Sequence, residues 1–249
     1  KNYNGYKNLI KLVSHAWVDG YYYKPRTDRE ELEKYHEDLI VCSACIAGEV
    51  PNKIIRGDIE GAREACEWYH RVFGDDYYLE LQRHEVKDPT LVANREAYPL
   101  QQKANKVLMQ FAKEYGVKLV CTNDCHFEDK ETAEAHDHLL CLSTNEDLDD
   151  PKRMRYSKQE WFKTRQEMNE VFSDVPEAMA NTLEILDKIE TYSIDHGPIM
   201  PFFPIPESFG TEEEWEKKFT EADLYKEFTT DENGLNPLSE EEGKKVIAR

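Results

Sequence analysis

What the chain lacks narrows its reading first. None of its 249 residues fall in an apolar run of about 18, the length a helix needs to cross a bilayer, so no membrane partner is expected. Basic residues are scarce beside acidic ones: 32 Lys and Arg against 51 Asp and Glu, a formal charge of −19. Nucleic-acid affinity comes largely from Lys and Arg that displace counterions, so little DNA binding is expected from so acidic a surface. A bound cation reverses the local field, so a metal site acting on a phosphoester stays open. The start, Lys1-Asn-Tyr-Asn-Gly5, has neither an initiator Met nor a secretory pattern. The end, through Val246-Ile-Ala-Arg249, stops within a helix-like pattern, and both ends read like a chain cut from something longer. Six cysteines without a secretory signal point to a reduced, cytoplasmic protein. No internal repeat is visible.

What is present suffices for a core, since 39% of residues are hydrophobic and 11% aromatic. Helical periodicity is expected over residues 4–18, with Leu9, Ile10, Val13 and Trp17 on one face and His15 off it. A short helix follows Thr27 and Asp28, then a β-type run Asp38–Ser43, then helices from Glu49 to Arg56 and from Asp58 to Phe73, the last stopped by Gly74. The stretch Asp76–Gln82 alternates as a strand, with Tyr78, Glu80 and Gln82 on one face, and Pro99 opens a long helix. Lys118–Cys121 forms a further strand, and Glu131–Ser143 a helix with His136, Leu139, Leu140 and Leu142 partly inward. Tyr156–Lys163 is expected to pair as a strand, and helices follow Thr164 and Val175. Alternating helices and strands up to residue 125 indicate βαβ units and a mainly parallel sheet. Four prolines between 198 and 206 make an extended tether, and residues 211–249 are charged and helix-prone.

The chemistry gathers at Lys118-Leu-Val-Cys-Thr-Asn-Asp-Cys-His126. In extended backbone, Asp124 and His126 fall on the same side, a two-ligand clip at the carboxyl end of a strand. The same residues also read as an N-cap and a surface His. Cys42-Ser-Ala-Cys45 has redox or zinc spacing; Cys45 alone reads as a ligand or as a small buried hydrophobe. A four-Cys zinc site completed by Cys121 and Cys125 is disfavoured by the intervening Asp124. His136 and His138 read as hydrogen-bond donors behind a metal, or as one buried and one exposed His, the latter preferred. His84 is expected at the surface, with a phosphate contact as the alternative. Arg153 and Arg155 are expected to pair with the acidic run Asp147–Asp150 rather than hold a phosphate.

A series of blocks then occurs in order: Ile40-Val-Cys-Ser-Ala-Cys-Ile-Ala-Gly-Glu-Val50, Phe73-Gly-Asp-Asp-Tyr-Tyr-Leu-Glu-Leu-Gln-Arg-His84, Val120-Cys-Thr-Asn-Asp-Cys-His126 and Ala135-His-Asp-His-Leu-Leu-Cys-Leu142. Arg153-Met-Arg-Tyr156, Phe162-Lys-Thr164, Glu167-Met168 and Pro176-Glu-Ala-Met-Ala-Asn-Thr182 continue it. The series resembles the polymerase-and-histidinol-phosphatase (PHP) domain of bacterial DNA polymerase III alpha subunits. The resemblance implies an α/β fold: part of a distorted (β/α)7 PHP barrel, helix-rich, with an α-helical C-terminal extension. It implies the later part of a PHP domain in residues 1–190 and a Pro-rich lead-in to the polymerase thumb in 191–249. The His-x-His strand that opens such domains is not in this sequence.

The resemblance places family metal positions at Cys45, Asp124 and His126. It implies Zn, Mn or Fe in the intact PHP domain, acting as a phosphoesterase or 3′–5′ exonuclease, with Mg at a polymerase site outside this chain. The second implied role is a non-catalytic scaffold that stabilises the polymerase. Implied partners are primer-template DNA, dNTPs, a proofreading exonuclease subunit and a sliding clamp. The segment alone is expected to be inactive.

Overall fold

In the computed structural model the described residues are 1–202, 204, 206–218, 223, 238, 239, 241 and 242. They divide into two compact units, Lys1–Ile194 and Asp195–Arg249. The first unit is built on a three-stranded, all-parallel sheet in the order β1 (Val41–Cys42), β2 (Tyr77–Leu81), β3 (Lys118–Cys121). Parallel neighbours need crossovers, which two helical connections supply. Between β1 and β2 run α3 (Glu49–Arg56) and α4 (Ile59–Phe73); between β2 and β3 runs α5 (Ala97–Tyr115). Two further helices precede the sheet, α1 (Tyr3–Val18) and α2 (Arg29–Lys34). After it come α6 (Ala133–Thr144), α7 (Arg165–Val171) and α8 (Pro176–Asp187).

Local chemistry sets these boundaries. Asp28 caps α2, its carboxylate accepting from the Glu31 amide, and Thr164 with Glu167 forms a reciprocal capping box on α7. Gly57 and Gly116 end α3 and α5 at φ 87° and 70°, backbone that a Cβ would strain. The centre of the sheet is β2. Its Tyr77, Leu79 and Leu81 enter the core with Ile54, Ala65, Leu108, Phe111 and Leu119. Burying a leucine such as Leu79 or Leu81 contributes about 2 kcal/mol each. The opposite face behaves differently. Tyr78 donates its hydroxyl to Glu184 on α8 at 2.7 Å, while Glu80 and Gln82 bond to each other and to Thr122.

Several sequence expectations are corrected. The apolar stripe of α1 faces outward: Leu9, Ile10, Val13 and Trp17 are 45–58% exposed. Its polar side turns inward instead, with Asn8 donating to the Glu37 carbonyl and His15 bonded to Glu31. Polar anchoring to the 31–38 segment therefore outweighs the tendency of the apolar stripe to turn inward. Likewise α6 buries Ala133, Asp137 and Cys141 and leaves Leu139 and Leu142 exposed, because a salt bridge at Asp137 sets its rotation. Residues 156–163 form no strand; a single parallel bridge joins Phe127 to Trp161. The first β run shortens to two residues, Val41–Cys42.

In the second unit, Ile199, Met200 and Phe202 of the proline-rich stretch are exposed, and a 3₁₀ turn (Glu207–Phe209) precedes α9 (Glu212–Lys218). Most of the expected helical extension after 218 lies outside the described residues.

Candidate functional site

Parallel strands send all three chain exits to one edge of the sheet, where α/β folds place their sites. After β1 the chain passes through Ser43 and a left-handed Ala44 (φ 63°) to Cys45. After β2 it passes through Gln82 to His84, and after β3 through Asn123 and a left-handed Asp124 (φ 45°) to His126. Non-glycine residues in that region carry strain that surrounding contacts must hold. Here they do: the Ser43 amide donates to the Tyr78 carbonyl at 2.9 Å, and the Glu80 amide donates to the Ser43 hydroxyl at 2.8 Å.

The loop after β3 is fastened to residues 156–163. The Asn123 amide group donates to the carbonyls of Gln159 and Trp161 at 2.8 and 2.7 Å. The His126 amide donates to the Glu160 carbonyl at 2.8 Å. Tyr156 thereby reaches the edge, its ring centroid 4.5 Å from that of His126 and 5.2 Å from that of His136. Burial raises the Tyr156 pKa, and negative charge on Asp124, Glu160 and Cys45 raises it further, which keeps the phenol protonated. His126 thus lies against the Tyr156 ring, and Cys45 and Asp124 are near enough to act on its hydroxyl electrostatically.

They do not converge into a closed ligand set. Among the described residues, no three His, Cys, Asp or Glu side chains are grouped so as to hold a metal ion. The donor chemistry nonetheless suits one. Nδ1 of His126 lies 2.6 Å from the Asp124 carbonyl oxygen, which can only accept, so Nδ1 carries the proton and Nε2 keeps its lone pair. Metal-ligating histidines are commonly oriented in this way. Cys45 and Asp124 are half-buried, and the six cysteines are free thiols. The four-Cys arrangement finds no support here, because Cys121 is buried in the core while Cys125 is exposed.

Behind the edge lies a buried polar network that sequence reasoning missed. His84 is 3% exposed, not at the surface. Its amide donates to Oε1 of Gln101, which turns the Gln101 amide group toward His84 Nδ1 at 3.0 Å. Nε2 of His84 then donates to the Asn123 carbonyl at 3.0 Å. His84 is therefore neutral with its proton on Nε2, and burial lowers its pKa despite Glu160 at 3.4 Å. Glu160, 2% exposed, accepts from the Ser157 amide and hydroxyl and the Gln159 amide. Lys163 donates to Asn123 and Gln159, and burial brings its pKa down to about 8. No motif announces this network. The one signal was its polar residues at spacings that fit neither helix nor strand.

Of the other candidates, Arg153 does form an ion pair, but with Asp137 on α6 through two bonds of 2.7 and 2.6 Å. Arg155 donates to the Asp150, Pro151 and Arg153 carbonyls. His138 is exposed, and His136 is half-buried against His126 and Phe127.

A PHP domain profile matches residues 1–84. DNA polymerase III subunit alpha of Borreliella burgdorferi is 40% identical over 235 residues, covering 92% of this chain and 19% of that protein. The same subunit of Treponema pallidum is 34% identical over 227 residues, covering 90% of this chain and 18% of the relative. That of Thermus aquaticus is 34% identical over 236 residues, covering 92% and 18%. The chain belongs to the DNA polymerase III alpha-subunit family. It spans less than a fifth of the length of these relatives. Within that family the segment is a helix-rich α/β unit with a parallel sheet and carries the PHP match in its first third. No helix among the described residues is long and apolar enough to cross a membrane.

Proposed function

We propose that this chain supplies the later part of the PHP domain to a cytoplasmic replicative DNA polymerase, and that the PHP domain is a metal-dependent phosphoesterase with 3′–5′ exonuclease action. The observation that supports the reading is the placement of Cys45 after β1 and of Asp124 and His126 after β3, all at the carboxyl edge of the parallel sheet, with the His126 ring against Tyr156. In this reading residues 1–190 belong to a distorted (β/α)7 barrel, and 191–249 lead toward the polymerase thumb. DNA synthesis, primer-template and dNTP binding, the polymerase Mg, the sliding clamp and a proofreading subunit belong to the rest of such a polymerase.

Three groups of this chain would hold the metal: the Cys45 thiolate, the Asp124 carboxylate and Nε2 of His126. Thiolate and imidazole favour Zn, Mn or Fe over Mg. Bound there, such a cation lowers the pKa of a water toward neutrality and offsets phosphoester charge. The chain itself orients His126 through its Nδ1–H bond to the Asp124 carbonyl. It also holds a protonated Tyr156 hydroxyl beside the pair, a donor for a phosphate oxygen. The test uses a full-length alpha subunit carrying this segment. Asp124→Asn is expected to abolish cleavage of 3′ ends while leaving polymerisation intact; full nuclease activity in that variant would sink the proposal.

A second reading treats the domain as a scaffold that stabilises the polymerase and docks the proofreading subunit. It is favoured by the open arrangement of the three ligands among the described residues. It expects no nuclease activity in the unaltered subunit, and weaker binding of the proofreading subunit when the PHP segment is destabilised.

A further inference from the structure

The loop that carries Asp124 and His126 is tied down plane by plane, and one of its ties comes from a distant element. Asp124 stands at φ 45°, left-handed backbone that costs a non-glycine residue free energy and persists only where neighbours hold it. A φ angle records how a residue is turned against the peptide plane before it, so the orientation of that plane matters. Three nearby planes are pinned. The Asn123 carbonyl, in the plane before Asp124, accepts from Nε2 of His84 at 3.0 Å. The Asp124 carbonyl accepts from Nδ1 of His126 at 2.6 Å. The His126 amide donates to the Glu160 carbonyl at 2.8 Å. The last two ties come from the loop itself and from the segment packed on it, whereas the first crosses from the exit of β2. The Asn123 side chain is tied separately to Gln159 and Trp161, but rotation about its ψ would leave the carbonyl plane free without His84.

His84 makes that bond in one tautomer, and α5 selects it. Gln101 and Asn105 stand one turn apart on the same face of α5. Asn105 donates to the Gln82 carbonyl at 2.9 Å. Gln101 accepts from the His84 amide at 2.8 Å, and its own amide nitrogen donates to Nδ1 at 3.0 Å. Nδ1 is thereby an acceptor, and the ring proton lies on Nε2, facing Asn123. Glu160, 3.4 Å from Nδ1, is already engaged by Ser157 and Gln159. Gln101, His84 and Asn123 are all buried, so water does not readily replace a lost bond. We infer that His84, oriented by Gln101, is a positioning residue for the Asp124–His126 pair: it leaves the cation untouched and sets how tightly the pair holds it. The inference rests on the metal reading above. Hydrogen-bond partners that orient metal ligands are each worth about 10–100-fold in affinity.

The test is competition for Zn²⁺ between a full-length alpha subunit carrying this segment and a chromophoric chelator, counting the zinc that is lost in Asp124→Asn. His84→Phe keeps a ring in the site without its donor and is expected to weaken that binding by at least about tenfold. His84→Gln restores an amide donor and is expected to stay within about threefold of the unaltered subunit. Gln101→Met leaves the imidazole but not its orientation, and it is expected to weaken zinc in the same direction as His84→Phe. Folding is checked by circular dichroism, and where His84→Phe fails to fold Gln101→Met decides. In the metal-free subunit, amide hydrogen exchange over residues 122–127 is expected to rise in His84→Phe and Gln101→Met, and over residues 59–73 to stay unchanged. Zinc held as tightly by these two variants as by the unaltered subunit overturns the positioning role, and so does unchanged exchange over 122–127. Equal losses in His84→Gln and His84→Phe also overturn it, by assigning the effect to packing of the ring. Absence of any zinc that depends on Asp124 sinks the metal reading itself and the positioning role with it, so the two failures are told apart.

Discussion

Two buried residues carry much of the local electrostatics. Arg153 and Asp137 form a two-bonded pair with side chains only 6% and 7% exposed. Removing one partner strands the other charge, so Arg153→Leu is expected to cost about 3 kcal/mol in denaturant unfolding. The double change Arg153→Met with Asp137→Leu is expected to recover most of that loss. His84 gives a pH effect. Burial holds its folded pKa below the ordinary 6.5, so protonation favours the unfolded chain. Its contribution is complete above that value and is lost as pH falls through it toward the depressed folded pKa. Unfolding free energy is expected to decline as pH falls from about 7 to about 5, and His84→Gln to flatten part of that slope. His136, also shifted downward by burial and by His126, supplies the remainder. At this scale the sequence was a partial guide. The types at Cys45, Asp124 and His126 and their strand-end placement were legible. The burial of His84 was not, because its partners Gln101, Asn123 and Glu160 are distant in sequence and lie on three different segments.

Among the elements, those with local punctuation were the ones sequence could read. The span Glu49–Arg56 with Gly57, and the Thr164–Glu167 box on α7, are set by caps within a few residues of each other. The α1 and α6 faces were misread because long-range polar contacts, to Glu37 and Glu31 and to Arg153, decided rotation against the apolar stripe. The turn carrying Cys45 has its own requirement. A Cβ on Gly48 would stand 2.1 Å from the Ser43 carbonyl oxygen and 3.2 Å from that of Cys45. Gly48→Ala is therefore expected to shift this turn and destabilise the chain by about 2 kcal/mol, checked by thermal unfolding. A neutral result would mean that the turn is looser than its close contacts imply.

Across the first unit, a parallel three-stranded sheet holds its functional candidates at one edge and is tied at its other end by α8. There Glu184 bonds Tyr78 of β2 and Lys118 of β3, and these contacts draw its pKa down to about 2. That stability is present above the ordinary 4.5 and is lost as pH falls toward the depressed value, a window well below that of His84. The outward face of α1 bears on the molecule as a whole. Since Ile10 and Val13 are 45% and 49% exposed, Ile10→Gln with Val13→Lys is expected to change unfolding free energy by less than about 0.5 kcal/mol per site. A larger loss would show that this face is packed in the folded chain.

In the proposed reading Cys45, Asp124 and His126 belong to a metal centre of the whole polymerase subunit. It is tested most directly by elemental analysis of a full-length alpha subunit carrying this segment, purified without added metal. The unaltered subunit is expected to retain zinc, manganese or iron, and Asp124→Asn with His126→Ala to lose at least about one equivalent while staying folded. The same metal content in both proteins would contradict the claim.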